Sequence, residues 1–220
     1  MSGANQQLGL HEEGIAQATE ALVISERLND VSEQGGALQQ IAQLLYSDHQ
    51  LDAAEEAASR AIDLFSGEGE RFLVCQCHYL LGLVYRSKGK VEEAVNHFEA
   101  ALRIASSLNR PIELFLNHYS LAELFSYQHR FDDAHAHIEH AKSHVEHVPY
   151  LLGHATQLQA QLWRRQHNLE EAKSEALHAV EVFEKFGATK NVEDCRTLLR
   201  QIEKEMENPG TWAPAPRVGL

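Results

Sequence analysis

The chain has 220 residues, 32 acidic against 19 basic, for a net charge of −13. That balance excludes an ordinary nucleic-acid binder, which needs a concentrated basic face to displace counterions from phosphates. Apolar residues make up 44% of it, enough for a core, yet no apolar run approaches the ~20 residues of a membrane helix.

The opening MSGANQQLGL has neither a basic segment nor a long apolar stretch, so neither a secretory signal nor a membrane partner is expected. Residues 10–30 carry Gly14, Ala18, Ala21 and Leu22 at helical spacing, predicting one helix without a partner, a half-repeat or cap over 1–34. Next comes LYSDHQLDAAEEAASRAI, residues 45–62, whose pattern returns ungapped at 85–102, 125–142 and 163–180. Each window opens on a bulky apolar residue: Leu45, Tyr85, Phe125, Trp163. Each has alanine at its tenth place (Ala54, Ala94, Ala134, Ala172) and its seventeenth (Ala61, Ala101, Ala141, Ala179).

Within one period, His78, Leu81, Gly82 and Tyr85 recur at three- and four-residue steps, a helical stripe. A turn at Ser87–Gly89 follows, then a second helix from about Val91 with Ala94, Phe98, Ala101 and Leu102 on one face. The unit is helix, turn, helix, and four are expected at about 35–72, 73–111, 112–150 and 151–191. Pro111, Pro149, Gly67 and Gly187 fall where units should meet, proline disfavouring helix before it and glycine permitting a left-handed helix end. A capping helix is expected over 192–207 and a flexible tail, NPGTWAPAPRVGL, over 208–220 with Trp212 among its prolines.

The alanines have a mechanical purpose. Where helices cross closely, a side chain larger than methyl would force the axes apart. The fold class expected is therefore all-α, a solenoid of antiparallel helix pairs.

The stretch YLLGLVYRSKGKVEEAVNHFEAAL resembles a tetratricopeptide repeat, with Leu81, Gly82, Tyr85, Gly89, Ala94, Phe98, Ala101 and Leu102 at the motif's signature places. His78 stands where the motif usually has an aromatic; the other units put Ala42, Ala122 and Ala160 for the signature glycine, and His49, His129 and His167 for the turn glycine. A period near 40 is similar to the long-helix variants of kinesin light chains and G-protein-signalling modulators. Similar arrays form sensor regions of some multidomain signalling ATPases.

The resemblance implies a right-handed superhelix whose inner surface is lined by the first helix of each unit. Carried onto this sequence, that surface holds three columns: Gln39, Tyr79, Tyr119 and Gln157; Gln43, Leu83, Glu123 and Gln161; Tyr46, Arg86, Ser126 and Arg164. Amide, phenol and guanidinium groups suit capture of a protein segment, because tyrosine and arginine are enriched in binding hot spots. The lysine–asparagine clamp of the family's chaperone-binding members has no counterpart in these columns.

Fourteen histidines are present, and HAHIEHAKSHVEH puts His137, His140, His144 and His147 at steps of three, four and three, an expected stripe along one helix. No metal and no cofactor is expected; these four would be the candidates if one bound, or if the chain sensed pH. Cys75, Cys77 and Cys195 are too few for a disulfide framework and are expected as reduced thiols, in a cytoplasmic or nuclear setting. No phosphate loop, nucleophile elbow or HExxH is present; Glu92–Glu93 and Glu170–Glu171 start second helices, where negative charge favours the helix dipole. The expectation is a non-enzymatic scaffold that binds a peptide or helix of a protein partner in the concave groove. The alternative is a regulatory segment of a signalling ATPase.

Overall fold

The computed structural model describes residues 2–65 and 70–208; Gly67 and residues 209–220 of the expected tail, with Trp212, lie outside them. Among the described residues there are ten helices and no strand: α1 Ser2–Leu28, α2 Val31–Ser47, α3 Leu51–Leu64, α4 Arg71–Ser87, α5 Val91–Ser107, α6 Pro111–Tyr127, α7 Phe131–His144, α8 Pro149–Arg165, α9 Leu169–Lys185 and α10 Thr189–Glu207. They group into two compact units, one reaching to Glu113 and one starting at Leu114. Each is a run of antiparallel helices, and the fold is a tetratricopeptide-like α-solenoid.

One turn chemistry recurs at seven of the helix junctions. At the end of α2, His49 adopts φ 58°, its N–H bonds the carbonyl of Tyr46 at 3.0 Å, and the N–H of Gln50 bonds that of Leu45 at 2.9 Å. This pair of bonds, closed by one left-handed residue, satisfies two carbonyls that every helix end leaves open. The same pair recurs at Gly89, His129 and His167, and at Asn29, Asn109 and Gly187. The residue heading each sequence window is therefore the carbonyl that closes the turn. Lys90 and Arg130, donors of the second bond, lay their cations over the rings of Tyr85 and Phe125, at 5.5 and 4.1 Å. The next helix then starts at once, as Ala54, Ala94, Ala134 and Ala172 donate to the carbonyls of Gln50, Lys90, Arg130 and Asn168.

All eight window alanines are fully buried. Around them the pairs exchange volume. Gly35 of α2 faces Phe65, Gly82 of α4 faces Phe98, and Gly153 of α8 faces Phe183, each glycine so close to its ring that a Cβ would meet it at 2.5, 2.5 and 3.0 Å. At the register of Gly82 and Phe98 the other units carry Ala42 with Ala58, Ala122 with Ile138, and Ala160 with Ala176. A larger group on the second helix goes with a smaller one on the first, which keeps the layer filled without strain.

In the first unit α1 packs on α2, with Gly14 against Leu44 and the Gln34 amide donating to the Ser25 carbonyl at 3.3 Å. Asp30 caps α2 by accepting from the Glu33 N–H at 3.1 Å. Between pairs, the Tyr85 hydroxyl donates to Glu55 at 2.8 Å, and Lys88 bridges Glu55 and Asp52 of α3. In the second unit α10 lies on α8 and α9 through Arg164–Glu205 at 2.6 Å and Lys173–Glu203 at 2.9 Å.

One expectation is corrected here. His147 does not continue the α7 stripe, because α7 stops at His144 and Val145 caps it. Proline at the first turn of α8 keeps Val148 out of the helical region, at φ −120° and ψ 77°, and the chain turns at residues 146–147 just before it.

Candidate functional site

The three columns lie on the first helices α2, α4, α6 and α8, within each unit. In the first unit, Tyr79, Leu83 and Arg86 stand at steps of four and three on α4, so they share a face, and all three are half-buried. The Tyr79 ring leans on Phe98, centroids 5.9 Å apart, which braces it at one edge. On α2, Gln43 is exposed, while Gln39 and Tyr46 are half-buried. Gln39 donates to the Gln76 oxygen at 3.3 Å, and Tyr46 packs against the Leu38–Leu81 core.

The second unit offers its column residues unevenly. Tyr119 is half-buried with its ring 5.7 Å from Phe115, Glu123 and Gln157 are half-buried, and Gln161 is exposed. Ser126 is buried and accepts from the Arg165 guanidinium at 3.1 Å, which in turn lies 4.3 Å over the Tyr127 ring. Arg164 is held by α10: Nε and Nη2 both donate to one Glu205 oxygen, at 2.9 and 2.6 Å, and Nη1 to Gln201 at 2.6 Å. Arg165 and Tyr127 belong to no column, and register alone gives no sign of them.

The histidines lie on the other side of the packing problem, between first and second helices. His78 and His97 approach Nδ1 to Nδ1 at 3.0 Å, and His118 and His137 at 2.9 Å. In each pair one ring donates Nδ1–H and the other accepts, so the two hold opposite tautomers. Burial, then the neighbours His97 and Arg103, lowers His78 to about 4. Burial, then His137, His140 and His144, lowers His118 to about 3. A spacing of 19 in both pairs, with the pairs themselves 40 apart, is the sequence signal that points to them. His135 sits on the Trp163 ring at 4.1 Å between the Gln159 and Gln166 amides.

The thiols are inert by the same physics. Cys75, Cys77 and Cys195 are buried, and burial pushes them up to about 11, 12 and 11, far from thiolate at neutral pH. A shallow cleft between α1, α2 and α3, lined by Leu22, Gln34, Leu38, Arg60 and Asp63 among others, includes no column residue. Among the described residues no helix is long and apolar enough to cross a membrane.

No curated protein matches the chain in sequence. Solved structures do match in fold. Aspartyl phosphate phosphatase F from Bacillus subtilis is 17% identical at a TM-score of 0.80, over 93% of this chain and 54% of that one. BtubC from P. vanneervenii is 16% identical at 0.67, over 96% of both chains. A Rap protein complexed with Competence and Sporulation Factor is 15% identical at 0.64, over 91% of this chain and 61% of that one. The chain thus spans about half the length of the phosphatase. The tetratricopeptide repeat profile matches twice, at residues 33–107 and 73–147, together more than half of the sequence. The chain belongs to the tetratricopeptide repeat family.

Proposed function

We propose that the chain is a non-enzymatic interaction module that holds a peptide or helical segment of a protein partner against the first-helix faces. The observation that carries this reading is the shared face of Tyr79, Leu83 and Arg86 on α4 of the first unit; by sequence register alone, Tyr119 and Glu123 hold the same places on α6 of the second. Each tyrosine is braced by a phenylalanine and presents a rigid amphipathic ring, contact area that costs little entropy to order. A partner complex of the Rap protein, which shares the fold, supports a binding role. Ser126 and Arg164 serve packing, so the binding face is narrower than twelve residues.

Affinity capture with the full chain, followed by identification of the bound protein, tests this. The triple variant Tyr79→Ala, Arg86→Ala, Tyr119→Ala loses the captured partner while its helical circular dichroism stays unchanged. Capture that persists in the variant rejects the face.

A further inference from the structure

Four imidazoles of the second unit meet between α6 and α7. The ring of His118, from α6, lies 5.1 Å from that of His137, 5.1 Å from that of His140 and 5.7 Å from that of His144, centroid to centroid. The last three stand at steps of three and four on α7 and so share one face. His118 and His137 bring their Nδ1 atoms to 2.9 Å. Two nitrogens on one tetrahedral zinc, each at about 2.0–2.1 Å from it, stand about 3.3 Å apart, so this pair is already near ligand spacing.

A comparison inside the chain separates a ligand set from ring packing. His78 and His97 occupy the same register in the preceding repeat and meet in the same way, at 3.0 Å. There the counterparts of His140 and His144 are Ala100 and Ile104. Packing the histidine pair therefore requires no further imidazole, and the two added ones converge on His118 all the same.

We propose that His118, His137, His140 and His144 form a site for a divalent transition-metal cation of the zinc, cobalt, nickel or copper class. Among the described residues no group of three or more His, Cys, Asp or Glu is arranged to hold a metal ion. His140 and His144 present ring faces to His118, and closing the site takes a turn of these two side chains about their own bonds; His140 is exposed and His144 half-buried. Neutral imidazole is the usual nitrogen ligand of such ions, and binding across two helices would clamp α6 to α7.

The test uses the untagged full chain, stripped with a chelator and titrated with zinc by calorimetry and with cobalt by visible absorption. One equivalent binds, the melting temperature rises with zinc, and cobalt shows the bands of a tetrahedral nitrogen site. His118→Leu places at this position the residue of the first repeat, Leu38, and His140→Ala with His144→Ile restores the second repeat. Each weakens zinc binding by at least about tenfold. Absence of binding overturns the proposal. So does undiminished affinity in His118→Leu, which would mean that the His140–His144 pair acts alone at the surface. Should His118→Leu lose its fold by circular dichroism, the His140→Ala/His144→Ile variant decides by the same criterion.

Discussion

A Cβ placed on Gly82 would stand 2.5 Å from Cε1 of Phe98, closer than side-chain carbons approach in proteins. Phe98 is completely buried, so the ring has nowhere to retreat. The two positions are one socket, and changing either alone leaves a clash or a void.

Gly82→Ala should therefore cost about 1–3 kcal/mol, and Phe98→Ile about as much through the space it leaves. The double variant, which copies Ala122 and Ile138 of the third repeat, should lose less than the sum of the two by at least about 1 kcal/mol. Urea unfolding of the three variants measures the coupling, and strict additivity would refute the socket.

The turn histidines hold a conformation that L-residues adopt at a cost. His49 has φ 58° and is exposed, so little binds its side chain to that place. His49→Gly should raise stability by about 0.5–1 kcal/mol, the left-handed strain relieved less the entropy glycine loses on folding. Gly89→Ala, at φ 72°, should move the melting temperature the other way.

Acid should loosen the fold through His78. Its folded value of about 4 lies below the ordinary histidine value of 6.5. Above pH 6.5 it is neutral folded or unfolded and contributes no pH dependence. Below that the unfolded chain takes up a proton the folded chain refuses, so stability falls between pH 6.5 and about 4. The loss at pH 5 is bounded by about 2 kcal/mol and, for a half-buried ring, comes nearer 1. His78→Leu should narrow the stability gap between pH 7.5 and pH 5 by that amount, about 1 kcal/mol, in chelator-treated buffer.

Arg164 anchors α10 through Glu205 and Gln201. Both partners are part-exposed, so Arg164→Ala should cost about 1 kcal/mol rather than the value of a buried pair. A double-mutant cycle with Glu205→Gln should show coupling that shrinks with added salt. Hydrogen exchange should quicken across α10 and leave α2 and α3 unchanged.

Periodic alanines and turn residues made the helix pairs legible, because packing two helices closely sets the size of a side chain at fixed steps regardless of what lies elsewhere. The columns were legible only as positions. What each of their side chains does depends on groups far along the chain: Gln39 on Gln76, Ser126 on Arg165, Arg164 on Glu205, at separations of 37, 39 and 41 residues. The histidine stripe shows the same limit. Steps of three and four put His137, His140 and His144 on one face, but not the fourth ring, which comes from α6.

The residue order by itself determined an all-helical repeat, its period and its turns, since each follows from local sterics and composition. Tertiary structure decided which polar groups packing consumes, which glycine holds which ring, and that His118 joins the α7 histidines. Those outcomes rest on short-range contacts between helices, and a one-dimensional pattern carries no distance across the pair.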